Sequence, residues 1–308
     1  MGGRNRALLV LAGSNVLWAG SYVAGKAVLV TWPFASLNML RFSIATVVLA
    51  PVLWHGRRAL PRDRGDRWRL VAMCALGFVA NKALEYWGLS LTTATDTALL
   101  IAAEALATVL LSVLILGERL RRVESLGLLA GTVGVYLVVT GGLGWPRGAT
   151  GPGAVGNLLV VAALGIEAVF TVLGASMVRR YPPLLLTAAT VAGSLAVWWP
   201  AGLAALAARH WPGLTAGGWV GAAYLGVIST AVCYWGWFYG LRRVMPGRLA
   251  PLLFIQPLVG TGLAVVIRGE HPPAAALAGG ALILLGVATV VQQRQAPPSS
   301  PPAVSGTA

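Results

Sequence analysis

Between Leu99 and Gly117 the sequence holds one charged residue, Glu104, in an otherwise uncharged run. A carboxylate so placed has two chemical uses: it carries a proton or binds substrate, or it balances a basic side chain from another segment. Five further ionisable residues stand inside comparable runs, Lys26, Arg41, Lys82, Glu85 and Glu167, giving three bases and three acids. An unpaired charge at the centre of a bilayer costs about 2.5–3.5 kcal/mol, so a mutually neutralising cluster is predicted. Lys82 and Glu85, three residues apart, share a helix face and predict an ion pair. Polar side chains also form stripes. Asn15, Trp18, Tyr22 and Lys26 are spaced by three, four and four, and Thr97, Glu104, Thr108 and Ser112 by seven, four and four, which aligns each set along one side of a helix. Glu167 with Thr171, Gln256, and the aromatic stretch YWGWFYG at 234–240 complete the set. Within that stretch Trp235 and Tyr239 suit either a binding wall or an interfacial belt. Charges of both signs beside tryptophan and tyrosine describe a pocket for a small amphipathic molecule. Glu104 and Glu167 are its candidate proton carriers or ligands, and Arg41 is a structural or gating charge.

The elements that must position these residues are set by composition. Of 308 residues 57% are hydrophobic and only 10% charged, with mean hydropathy +0.77, against roughly a quarter charged in soluble domains. The chain therefore reads as an all-α integral membrane protein. Ten runs suit crossings of about 20 residues: 7–30, 34–54, 70–90, 97–116, 124–142, 153–177, 184–207, 217–240, 249–267 and 274–291. The fourth can insert despite its acid. Eleven Leu, Ile and Val residues in 97–116, at about −0.3 to −0.6 kcal/mol each, offset one carboxylate. The first run is longer than a signal-peptide core of about 7–15 residues and is read as a retained helix. With ten crossings and a cytoplasmic N-terminus, seventeen arginines fall on inner segments and three, Arg147, Arg209 and Arg268, on outer loops. That bias is expected of an inner-membrane protein with both termini in the cytoplasm. It also accounts for the net charge of +14 without a nucleic-acid partner, because the basic residues lie between apolar runs and not on a soluble face. Cys74 and Cys233 sit inside apolar runs and read as small buried hydrophobes. The Pro- and Ser-rich segment 292–308 reads as a disordered cytoplasmic tail.

An offset of 152 residues aligns Gly88 with Gly240, Leu106 with Leu258, Gly117-Glu118 with Gly269-Glu270, Gly127 with Gly279 and Gly134 with Gly286, without a gap. Each unit then has five helices, 1–146 and 147–291, and an odd number inverts the second unit relative to the first. Inverted repeats suit alternating access about a site near the midplane. Glu104 aligns with Gln256, so one half carries a titratable group where the other carries an amide.

The five-plus-five arrangement, the LGERL run at 116–120, its partner RGE at 268–270, the Trp18-Ala19-Gly20-Ser21 segment and Arg41-Phe42 resemble the drug/metabolite transporter superfamily, EamA type. The resemblance implies export or exchange of small metabolites, amino acids or drugs through a central cavity, and no particular substrate. The family's proline after the membrane acid is present here as Pro257 but replaced by Ala105 in the first half, so a helix-four kink does not carry over. Pro257 itself favours a bend by freeing the carbonyl of Leu253. No GxxxxGK[ST] or HExxH stretch occurs, and His55, His210 and His271 lie at helix ends or in loops. The expected function is a secondary transporter, possible proton coupling included, with no cofactor or metal and with a small molecule and the bilayer as partners. A facilitator or flippase without proton coupling, and a membrane-embedded enzyme, are the alternatives. Gly127, Gly131 and Gly134 could pack the fifth helix within one chain or between two, so a monomer and a homodimer both stay open.

Overall fold

A computed structural model describes residues 3–104, 106–107, 122–140, 151–210, 212–243 and 255–295, and every regular element among them is helical. Six helical stretches are long and apolar enough to cross a bilayer: Arg6–Leu29, Phe34–Ala59, Arg122–Thr140, Pro152–Met177, Pro183–Ala207 and Ala216–Leu241. Ile255–Arg268 and Ala274–Thr289 are shorter apolar helices. The chain is a multi-pass membrane protein. Thr108, Ser112, Ala105, Leu253, the LGERL run with Gly117-Glu118, and the tail from residue 296 lie outside the described residues.

The first crossing is two helices, α1 (Gly3–Ala19) and α2 (Ser21–Leu29), interrupted at Gly20. A Cβ on Gly20 would stand 2.5 Å from the Tyr224 hydroxyl, which donates to the carbonyl of Leu17. Glycine at the break thus admits a tyrosine from another helix. The second crossing is α3 (Phe34–Gly56), which follows Pro33. A broken helical stretch follows in three parts: α4 (Arg64–Met73), capped by Asp63, a π-helical segment Cys74–Ala80, and α5 (Asn81–Leu91). A second π-helical segment, Tyr224–Val232, lies between α10 (Ala216–Ala223) and α11 (Cys233–Leu241). Wide turns of this kind inside α-helices mark functional regions, and apolar periodicity did not reveal either one. Between these, α6 (Ala94–Ile101) starts at the Thr93 cap, α7 spans Arg122–Thr140, α8 Pro152–Met177 and α9 Pro183–Ala207. The chain ends in α12 (Ile255–Arg268) and α13 (Ala274–Gln295).

The helix that carries Glu104 is discontinuous even without a proline. α6 stops at Ile101, and Ala102 and Ala103 donate to the carbonyls of Leu99 and Leu100, three residues back. That tightened turn falls immediately before the acid.

Lipid tails are as apolar as leucine, so helix association here relies on close contact between small residues. Gly134 faces the carbonyl of Gly279 at 2.5 Å from its virtual Cβ, and Gly286 faces that of Gly127 at 2.4 Å. The glycine stripe of α7 is thereby used inside the chain, against α13. Likewise Gly88 of α5 meets Gly156 of α8, while on α3 and α9 Gly56 meets Leu185 and Gly202 meets Met39.

Polar latches stand at the two ends of the bundle. At the start of α4, Asp66 accepts from Arg69 at 2.7 Å, from Arg180 at 2.9 and 3.0 Å and from Tyr181 at 2.9 Å. Burial alone would push that carboxyl up, but these hydrogen bonds, Arg180 foremost, hold it below its ordinary value. At the opposite end the carboxylate of Glu270 accepts the backbone N–H groups of Ala94 and Thr95 at 3.1 and 2.9 Å. Gly269, with φ +65°, supplies the left-handed turn that ends α12 and aims Glu270 at α6.

Candidate functional site

A cavity of about 50 Å³ lies where these helices meet, lined among others by Trp18, Tyr22, Arg41, Lys82, Glu85, Glu104, Glu167, Tyr234 and Gln256. Lys82 stands in the first turn of α5, just after the π-helical segment Cys74–Ala80. Its ammonium is bonded to the Glu85 carboxylate and lies 4.0 Å from Glu167. It also sits 5.8 Å from the centre of the Tyr234 ring. The sequence-predicted i, i+3 pair therefore forms, and a second acid, Glu167, joins it from α8.

Of the π-helical segments, Tyr224–Val232 contributes Ser229 to the lining. Widening the turn frees carbonyls and hydroxyls for side chains from other helices. The indole of Trp18 donates to the carbonyl of Ser229 at 2.8 Å, and that of Trp198 to Phe78 at 2.8 Å. Thr230 donates its hydroxyl to Leu225, five residues back, at 2.7 Å and accepts the Arg41 Nε at 3.0 Å. Arg41 is only 1% exposed. Its second contact is with the Ser229 hydroxyl at 3.5 Å, and its guanidinium carbon lies 5.0 Å from the Tyr86 ring centre and 5.1 Å from that of Phe42.

Gln256 is fixed from both sides: it accepts from the Tyr22 hydroxyl at 3.2 Å and donates to Asn15 at 2.7 Å. Asn15 in turn donates to Leu11 at 2.8 Å. It is buried behind Gln256 and orients it, outside the cavity lining. Gln256 and Glu104, the pair matched by the 152-residue offset, both line the cavity.

Trp18, Tyr22, Arg41, Lys82, Glu85, Glu104, Glu167 and Gln256, all singled out from sequence, thus converge, and Asn15 supports one of them. Trp235 is the exception. Its ring packs on Tyr239 at 5.5 Å, and Arg243 covers Tyr239 at 3.8 Å, as an interfacial cluster would. The aromatic wall is built by the neighbour Tyr234, whose ring lies 5.1 Å from that of Trp18, and Trp237 packs against Trp18 at 5.9 Å. Lys26 also departs from the expected cluster: the charges that act on it are Glu270 and Arg268 at the helix ends. Ser21, Asn81, Tyr86 and Ser229 line the cavity as well, and Ser21, Asn81 and Ser229 were not anticipated. For Tyr234 a signal existed, since the 152-residue offset sets it opposite Lys82.

Among the described residues no group of His, Cys, Asp and Glu is placed to hold a metal. The arrangement offers cations, carboxylates and aromatic faces in one buried space, suited to binding and releasing a small molecule.

Comparison with known proteins agrees with that chemistry. The chain is 26% identical over 270 residues to a probable terminal-alkyne amino-acid exporter of Streptantibioticus cattleyicolor, covering 87% of this chain and 88% of that protein. An uncharacterised transporter of Archaeoglobus fulgidus is 29% identical, with 86% and 90% covered, and one of Bacillus subtilis 24% identical, with 86% and 80% covered. A solved crystal structure shares the fold with a TM-score of 0.66 at 23% identity, over 97% of this chain and all of that one. The EamA-like transporter family matches residues 5–140 and 154–292, and the chain belongs to that family, within the drug/metabolite transporter superfamily.

Proposed function

We propose that this membrane transporter is a secondary transporter that exports or exchanges a small amphipathic metabolite by alternating access, with a proton moving through the cavity carboxylates. The observation that carries this reading is the cavity itself, where Arg41 and Lys82 face Glu85, Glu104 and Glu167 beside Trp18 and Tyr234. Three carboxylates against two cations leave one negative charge in excess. Buried net charge is costly, so one proton neutralises the cluster, and a substrate that brings a positively charged group to the carboxylates displaces it. Lack of a nucleotide-binding motif is consistent with an ion gradient as the energy source.

The architecture we propose for it has ten crossings in two inverted five-helix units, 1–146 and 147–291. Several features support this. The family matches the chain in two stretches of similar length. Gly134 meets Gly279 while Gly286 meets Gly127, the exchange of partners that the 152-residue offset requires of a twofold relation. The two π-helical segments, Cys74–Ala80 and Tyr224–Val232, also overlap under that offset. By the arginine bias the protein sits in the cell (inner) membrane with both termini cytoplasmic, and each monomer, alone or in a homodimer, holds a whole cavity.

A volume of about 50 Å³ is far below a ligand pocket of roughly 300–1,000 Å³, so loading requires the helices to part. The break before Glu104, the π-helical segments and Gly20 are the places where backbone can yield without losing a regular helix turn. The relative named as a probable amino-acid exporter makes amino acids the first compounds to try. Vesicles containing the purified chain are preloaded with a panel of amino acids and small amines, and exchange of labelled compound is followed. Exchange of at least one compound above the rate of protein-free vesicles is expected. Equal rates across a panel widened to drug-like amphiphiles would overturn the reading.

A further inference from the structure

Of the two cavity cations, Arg41 is the one without a carboxylate partner among the described residues. Lys82 is bonded to Glu85 and stands 4.0 Å from Glu167. Arg41, by contrast, has no carboxylate within ion-pair distance among the described residues. Its guanidinium is held in place by neutral groups: Nε on the Thr230 hydroxyl, Nη2 on the Ser229 hydroxyl, and the rings of Tyr86 and Phe42. Nη1 finds no acceptor, although the residue is 1% exposed and forms part of the cavity lining. A guanidinium is always charged, and a buried donor without a partner is an expensive arrangement.

We propose that Arg41 recognises a carboxylate on the transported molecule. The inference rests on the transport reading above and adds to it the substrate's anionic group and the residue that selects it. Thr230, Ser229 and the two rings fix the plane of the guanidinium, leaving Nη1 to a carboxylate oxygen in a charge-assisted hydrogen bond. Ordering of the guanidinium before substrate arrives removes part of the entropic cost of binding. Lys82 does not fill this role, because its ammonium already satisfies Glu85. The substrate's remaining polar end falls toward Glu104 and Glu167, and its apolar part toward Trp18 and Tyr234.

The test uses vesicles containing the full chain and two matched sets of probes, the protein amino acids and their α-amides, which differ in the carboxylate. Wild type should exchange at least one acid in preference to its amide. Arg41→Gln should lower exchange of that acid by roughly ten- to a hundredfold more than exchange of its amide, and Arg41→Lys should restore part of the preference. Thr230→Val keeps the charge but removes the acceptor for Nε, so a rise in KM for the acid with kcat preserved is expected. It carries the test if Arg41→Gln fails to fold. An acid preference that survives both variants overturns the assignment, as does wild-type exchange of acid and amide at equal rates. No exchange of either set also overturns it, while exchange of other compounds in the wider panel leaves the transport reading standing.

Discussion

Glu270→Ala removes the acceptor of two backbone donors at the start of α6, and its consequence can be worked from the geometry. The first four N–H groups of a helix lack intrahelical partners, and the Glu270 carboxylate takes those of Ala94 and Thr95 at 3.1 and 2.9 Å. Loss of a side-chain cap costs about 0.5–2 kcal/mol, and loss of a negative charge at a helix N-terminus about 0.3–1 kcal/mol more. The Glu270 side chain is 18% exposed, so water replaces part of what is lost, and a net cost of about 1–2 kcal/mol is expected. Each 1.4 kcal/mol is a tenfold change in an opening equilibrium. Hydrogen exchange at Ala94 and Thr95 should therefore quicken by roughly five- to thirtyfold, with little change in the Asp66 cluster at the other end of the bundle. Glu270→Gln keeps one acceptor and should fall between wild type and alanine. Unchanged exchange at Ala94 and Thr95 in the alanine variant would refute the reasoning, as would quickening spread evenly along the chain.

Other consequences follow from the same geometry. Gly134→Ala places a methyl 2.5 Å from the Gly279 carbonyl, so α7 and α13 must separate; a cost of about 1–3 kcal/mol should lower the Tm of the detergent-solubilised protein, whereas Gly165→Ala, where nothing lies within 4 Å, should not. Asp66 has its carboxyl held below the ordinary value by Arg180, Arg69 and Tyr181 against the opposing effect of burial. Its contribution to stability is therefore complete above the unfolded carboxyl value of about 3.9 and is lost as pH falls through the lower folded value. Asp66→Asn should lower Tm at neutral pH and flatten its fall below about pH 4; an unaltered acid limb counts against the cluster. Tyr234→Ala should reduce transport strongly while Trp235→Ala leaves it near wild type, and the reverse order would mean that the wall of the cavity is wrongly assigned.

Much of this was legible in the sequence because bilayers enforce simple rules. The Lys82–Glu85 pair follows from a three-residue spacing, and Glu104 with Gln256 from an internal offset, since neither depends on distant geometry. Legibility failed where the helix departs from 3.6 residues per turn. Ser229 and Tyr234 both line the cavity although they are five residues apart, a spacing that only the π-helical segment brings to one face. An ideal α-helix sets aside Tyr234 and makes Trp235 look as plausible. Asn15 shares the stripe of Trp18 and Tyr22 yet serves Gln256 from behind, which depends on where another helix stands. The break before Glu104 lacks the proline that would announce it and arises instead from three-residue backbone bonds at Ala102 and Ala103. Lys26 was grouped with the neutralising cluster because it stands inside an apolar run, and the Gly269 turn that aims Glu270 at α6 depends on geometry that such a grouping does not see.

Proton exchange through the cavity acids is measured most directly with a pH-sensitive dye inside vesicles that contain the full chain. Addition of an exchanged compound should change the lumenal pH in wild type. Glu104→Gln should abolish that pH signal while exchange of labelled compound across the membrane continues, because the amide retains the size and polarity that Gln256 provides in the other half. A pH signal of wild-type size in Glu104→Gln and in Glu167→Gln alike would contradict proton coupling at this site.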